Sequence, residues 1–134
     1  MHREQLCTSF WGEDDILALS KDATFLYIYL MLCDRSHGLT GIYTWSRTEA
    51  SFHCKMPFDE LDAAMAELEQ AGKVILFSGD LKGWLWVKNR AKWNVYSPQQ
   101  AKGAEKHLST VPAQVKTPFL QKYYHLLTQA KGEQ

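Results

Sequence analysis

Between Arg47 and Val87 two helical patterns and two strand-like runs follow one another with no connection longer than six residues. Arg47 to Cys54 reads as a short helix with Ala50 and Phe52 as candidate inward residues, and Lys55-Met56-Pro57 breaks it. Pro57 suits a first helical position, with Asp59 and Glu60 in the first turn. Leu61, Ala64, Met65, Leu68 and Ala71 then recur at helical spacing as one apolar stripe, and Gly72 fits the residue past the helix end. Val74–Phe77 and Trp84–Val87 are β-prone and flank the six-residue segment Ser78–Gly83, which predicts a hairpin. Two helices across a short turn, followed at once by a hairpin, predict a winged helix-turn-helix; Gly41 to Trp45 supplies a third strand.

The flanks extend this frame. Phe10 to Leu19 reads as a brief helix laid on the body, and Ser20 is a good N-cap with Asp22 in the following first turn. Ala23 to Cys33 is apolar nearly all round, which predicts a central buried helix ending before Gly38. Ser97-Pro98 and Thr117-Pro118 each carry a cap-then-proline signature and predict two further helices. The expected fold class is α+β and mainly helical, with a small three-stranded sheet and C-terminal helices. The winged-helix domain is expected over 8–96 and a helical extension over 97–134.

At 134 residues, with 13% aromatic and 22% charged side chains, the chain suits one folded domain. Its longest apolar run, Phe25 to Cys33, is far short of the roughly 20 residues that cross a bilayer. Met1 to Gln5 leads into no apolar stretch, so no secretory signal and no membrane partner are expected. The three cysteines, Cys7, Cys33 and Cys54, are odd in number and widely spaced. A reducing, cytoplasmic setting is the expectation.

The formal net charge of zero conceals a division: residues 1–72 hold 5 basic and 12 acidic side chains, residues 73–134 hold 10 basic and 3 acidic. Such a split suggests that one end faces a polyanion or that copies meet head to tail, although solvated faces can differ in sign without function. The helix after Pro57 carries Asp59, Glu60, Asp62, Glu67 and Glu69 and no Lys or Arg. Base reading is led by Arg, Lys, Asn and Gln, and phosphates repel carboxylates, so Asp59, Asp62 and Glu69 are candidates for protein interaction instead. Lys82, Lys88, Arg90 and Lys92 cluster within eleven residues among Trp84, Trp86 and Trp93. With Lys102 and Lys106 they are the candidate phosphate contacts. Trp84 and Trp86, two apart on a strand, share a face, and packing accounts for them as well as nucleic acid does.

Catalytic and metal readings are poor. Cys33 with His37 and the pair His53-Cys54 lack the close ligand pairs of structural zinc sites. No phosphate-binding glycine loop or nucleophile elbow occurs, and His107 and His125 are expected at the surface. Neither an enzyme nor a cofactor is expected.

Several pieces resemble a known family: Ser9-Phe10-Trp11, Leu19-Ser20, Phe25 to Leu30, Leu39-Thr40-Gly41-Ile42-Tyr43, Leu68 to Val74, and Trp84-Leu85-Trp86-Val87-Lys88-Asn89. In that order they are similar to the N-terminal winged-helix domain of phage replisome organisers and DnaD-like replication initiators, over roughly residues 8 to 110. The resemblance implies a role in DNA replication. Its implied partners are double- or single-stranded DNA, a helicase or helicase loader, and further copies of the chain. Two readings follow: a DNA-binding module using phosphate contacts, or a protein-interaction and oligomerisation module using the acidic helix.

Overall fold

Residues 14–33, 36, 39–88, 95 and 97–130 are described by a computed structural model. A single turn, α1 (Asp14–Leu17), is followed by Ser20, whose hydroxyl accepts from the Ala23 N–H and caps α2 (Lys21–Leu32). Ser46 caps α3 (Arg47–Cys54) in the same way through the Glu49 N–H. At the end of α3 the chain turns through Lys55, whose φ of 58° lies in the left-handed region, and α4 (Phe58–Gln70) begins. Pro57 stands one residue before that helix, as its N-cap. Gly72, at φ 74°, closes α4: its N–H bonds the Glu69 carbonyl and the Lys73 N–H the Leu68 carbonyl. These are the paired bonds of a glycine-terminated helix end.

The strands β1 (Ile42–Thr44), β2 (Val74–Leu76) and β3 (Trp84–Val87) form an antiparallel sheet in the order β1-β3-β2. The β2–β3 connection contains a 3-10 turn at Gly79–Leu81. Alternation along the strands divides the residues between two faces. Tyr43, Val74, Leu85 and Val87 pack with Leu26, Leu30, Leu61, Met65 and Leu68 from α2 and α4. Ile42 and Ile75 flank Trp86 from either side in register and face the other way. There α5 (Pro98–Leu108) and α6 (Ala113–Ala130) cover them. The molecule is therefore α+β and mainly helical: a winged helix-turn-helix whose sheet lies between α2–α4 on one face and the C-terminal helix pair on the other.

The expected helix caps at Ser20 and Ser97 are present, the latter accepting from the Gln100 N–H. Other expectations need correction. Phe52 is 78% exposed rather than inward, because α3 buries Ala50 and Cys54, four apart, and a residue two positions from either points away. Phe52→Ser should accordingly change unfolding free energy by no more than about 0.5 kcal/mol in a denaturant titration. A loss well above that would place the ring in a core. Nor is α2 buried all round: Phe25 is 54% exposed and Leu32 is exposed, on a side that α3 borders with His53 but does not cover.

The last helix starts at Ala113, after the Pro112 carbonyl, and not at Thr117-Pro118. Pro118 sits inside it, and the Thr117 hydroxyl donates to the Ala113 carbonyl instead of capping. His107 is half-buried, with Nε2 2.8 Å from the Ile42 carbonyl. A carbonyl can only accept, so this nitrogen carries the proton and ties α5 to β1. His125 is exposed as expected. The residues before Asp14 in the expected leader helix, and Gly38, lie outside the described residues. No helix among the described residues is long and apolar enough to cross a membrane.

Candidate nucleic-acid interface

The helix-turn-helix presents carboxylates. Leu61, Ala64, Met65 and Leu68 turn inward on α4, so Asp59, Glu60, Asp62 and Glu69 are all exposed. They are not equivalent. Arg47 on α3 donates to Asp62 through Nε (2.9 Å) and Nη2 (2.6 Å) while its guanidinium lies 4.1 Å from the Phe58 ring centroid. Those hydrogen bonds hold the Asp62 carboxyl below the usual carboxylate range and raise the Arg47 pKa. Glu67 accepts from the Ser20 N–H at 2.6 Å, joining α4 to the start of α2. Asp62 thus serves the α3–α4 geometry, and Asp59, Glu60 and Glu69 are the outward acids.

The described candidate cations lie in the β2–β3 hairpin region and on α5. Lys82 is exposed at the end of the 3-10 turn in the β2–β3 loop. Lys88, just past β3, is half-buried, its Nζ 5.5 Å from the Trp86 ring centroid. Lys102 and Lys106 are exposed one turn apart on α5, on the side away from Ala101, Ala104 and Leu108. Arg90, Lys92 and Trp93 lie outside the described residues. Trp86 is 2% exposed and Trp84 half-buried, both packed beneath α5 and α6. Trp86 is a core residue with no open face for a base, and Trp84 is partly covered against the same cluster.

Grooves open at two places among the described residues. One, of about 210 Å³, lies between α2 and α3 against Phe25, Ile28 and Leu32, where the Tyr29 hydroxyl and His53 Nδ1 stand 3.0 Å apart. The other, of about 350 Å³, runs between α5 and α6 over Leu108, Leu120 and Leu127, with Tyr124, Lys116 and Glu105 at its edges. Lys116 and Tyr124 escape sequence inspection because the surface they share forms only when two helices pair; their eight-residue spacing on α6 was the available signal.

Burial pushes the Cys54 thiol up to about 11, with Cys33 adding to the shift, so Cys54 is protonated at neutral pH. His37 lies outside the described residues, and among those described no three His, Cys, Asp or Glu side chains converge to hold a metal ion. No family model, curated protein or solved structure matches the chain.

Proposed function

We propose that the chain is the DNA-binding winged-helix module of a replication initiation protein of the phage replisome organiser and DnaD-like kind, acting in the cytoplasm of a bacterial cell or infected host. It holds DNA through phosphates without reading bases, and it is neither an enzyme nor dependent on a cofactor. The observation that carries this reading is where the fold puts charge. The helix in the recognition position, α4, exposes carboxylates and has no cation, whereas Lys82, Lys102 and Lys106 are exposed on the wing and on α5. Carboxylates disfavour the major groove, while lysines on a wing and an outer helix suit a sugar-phosphate backbone.

The test is fluorescence polarisation with a random-sequence duplex across a salt series. Replacing Lys82, Lys102 and Lys106 by Ala should weaken binding for all sequences alike and flatten the slope of log affinity against log salt by about 0.9 per lost contact. An unchanged slope would remove these lysines from the interface.

The outward Asp59, Glu60 and Glu69 favour a second reading, in which α4 meets a basic surface on a helicase, a helicase loader or another copy of the chain. The two readings use different faces and can hold together.

A further inference from the structure

A protein that handles opened DNA needs a flat apolar surface for unpaired bases, because a base inside a duplex offers only its edges. The sheet is a poor source of one, since Trp86 is buried beneath α5 and α6 and Trp84 is partly covered by the same cluster. Among the described residues the large exposed aromatics are Phe25, Phe52, Phe58 and Tyr124. Phe25 lies on α2, beside the acidic helix-turn-helix. Phe52 and Phe58 belong to that helix-turn-helix itself, where six carboxylates stand against Arg47 and Lys55, and Arg47 lies over the Phe58 ring. Tyr124, 67% exposed, is different: residues 97–130 hold four lysines and one glutamate.

Resting on the DNA-binding reading above, we infer that the groove between α5 and α6 binds single-stranded nucleic acid, with one base stacked on Tyr124 over the apolar floor and a flanking phosphate met by Lys116. At about 350 Å³ the groove is at the small end of ligand sites, enough for a base but not for a duplex edge. Its floor is Leu108, Leu120 and Leu127, against which a base can lie flat. Its polar edge is rich in acceptors. The Ser109 hydroxyl donates to the Lys106 carbonyl (2.6 Å) and the Thr128 hydroxyl to the Tyr124 carbonyl (3.0 Å), so each oxygen keeps acceptor lone pairs beside the groove. Acceptors of that kind suit the amino groups of unpaired bases. Lys102 and Lys106 on α5 and Ser109 at its C-cap are spaced four and three apart, so the two lysines continue the path of the backbone beyond the groove.

The experiment uses the full chain, a labelled mixed-sequence single strand and the duplex of the same sequence, followed by anisotropy. Tyr124→Ala should weaken single-strand binding by about tenfold, the usual effect of removing one stacked base, with little change on duplex, and Tyr124→Phe should restore it. Independently, an iodouracil-substituted strand irradiated with the unaltered protein should crosslink to the α6 peptide bearing Tyr124. Undiminished single-strand affinity in Tyr124→Ala, or crosslinks confined to other elements, would overturn the site while leaving duplex binding intact; such a groove would instead suit a protein segment. A mononucleotide binding as tightly as the strand would also overturn it. Failure of both strand and duplex to bind would sink the DNA-binding reading itself.

Discussion

Trp86→Ala should lower the free energy of unfolding by about 3–5 kcal/mol. The indole is 2% exposed at the centre of the middle strand, between Ile42 and Ile75. It meets Phe119 and Tyr123 edge-on, with ring centroids 5.8 and 6.2 Å away. Removing it opens a cavity between the sheet and α6 that backbone on both sides prevents from collapsing, so lost transfer energy and lost contacts add. Trp86→Phe should cost far less: it keeps a ring against the same partners and removes an indole N–H that finds no acceptor among the described residues. Because β1 and β3 contribute to both apolar clusters, the loss should appear as an earlier single transition in urea, with the helix-turn-helix and the C-terminal helices unfolding together. A loss below about 1 kcal/mol for the alanine variant would show that Trp86 is not the residue joining the sheet to α6.

That residue also shows what the sequence can and cannot reveal. Period-two alternation places Trp84 and Trp86 on one face, and the order of elements leads to the three-stranded sheet. What covers that face depends on α5 and α6 folding back over it, a contact between segments far apart in the chain. The same limit explains His107, whose partner is the Ile42 carbonyl 65 residues earlier, and Glu67, whose carboxylate reaches the Ser20 N–H 47 residues earlier. Local signals succeeded where the chemistry is local: the serine caps at 20 and 97 and the glycine end at 72 need only neighbouring backbone. Thr117-Pro118 imitates a helix start, yet Pro112 lies close before it and the helix is already running when Pro118 arrives. For α2, uniform hydrophobicity says that burial is favourable but not which side is covered, and the Phe25–Leu32 side is left exposed, with α3 bordering it only through His53.

Reversing Asp59, Glu60 and Glu69 to Lys should strengthen duplex binding and steepen its salt dependence by up to about 2.7 slope units, since each lysine that reaches a phosphate adds about 0.9. Asp62 is left in place because its carboxylate holds Arg47, and through it the α3–α4 angle. The three substituted positions are exposed and lie off the buried Leu61, Met65 and Leu68 stripe, so the fold should tolerate the exchange. In the native chain these carboxylates would face phosphates on both walls of a major groove, and screening with a Debye length of about 8 Å at physiological salt does not remove repulsion at contact distance. Facing a basic surface on a partner or another copy, the same acids would speed encounter and set orientation. The reversed variant should therefore lose whatever association the native chain shows in analytical ultracentrifugation while gaining affinity for DNA. Loss of DNA binding with association unchanged would invert the assignment, making α4 a reader of DNA whose acids accept from cytosine amino groups and leaving the lysines of the wing and α5 as a solvated surface.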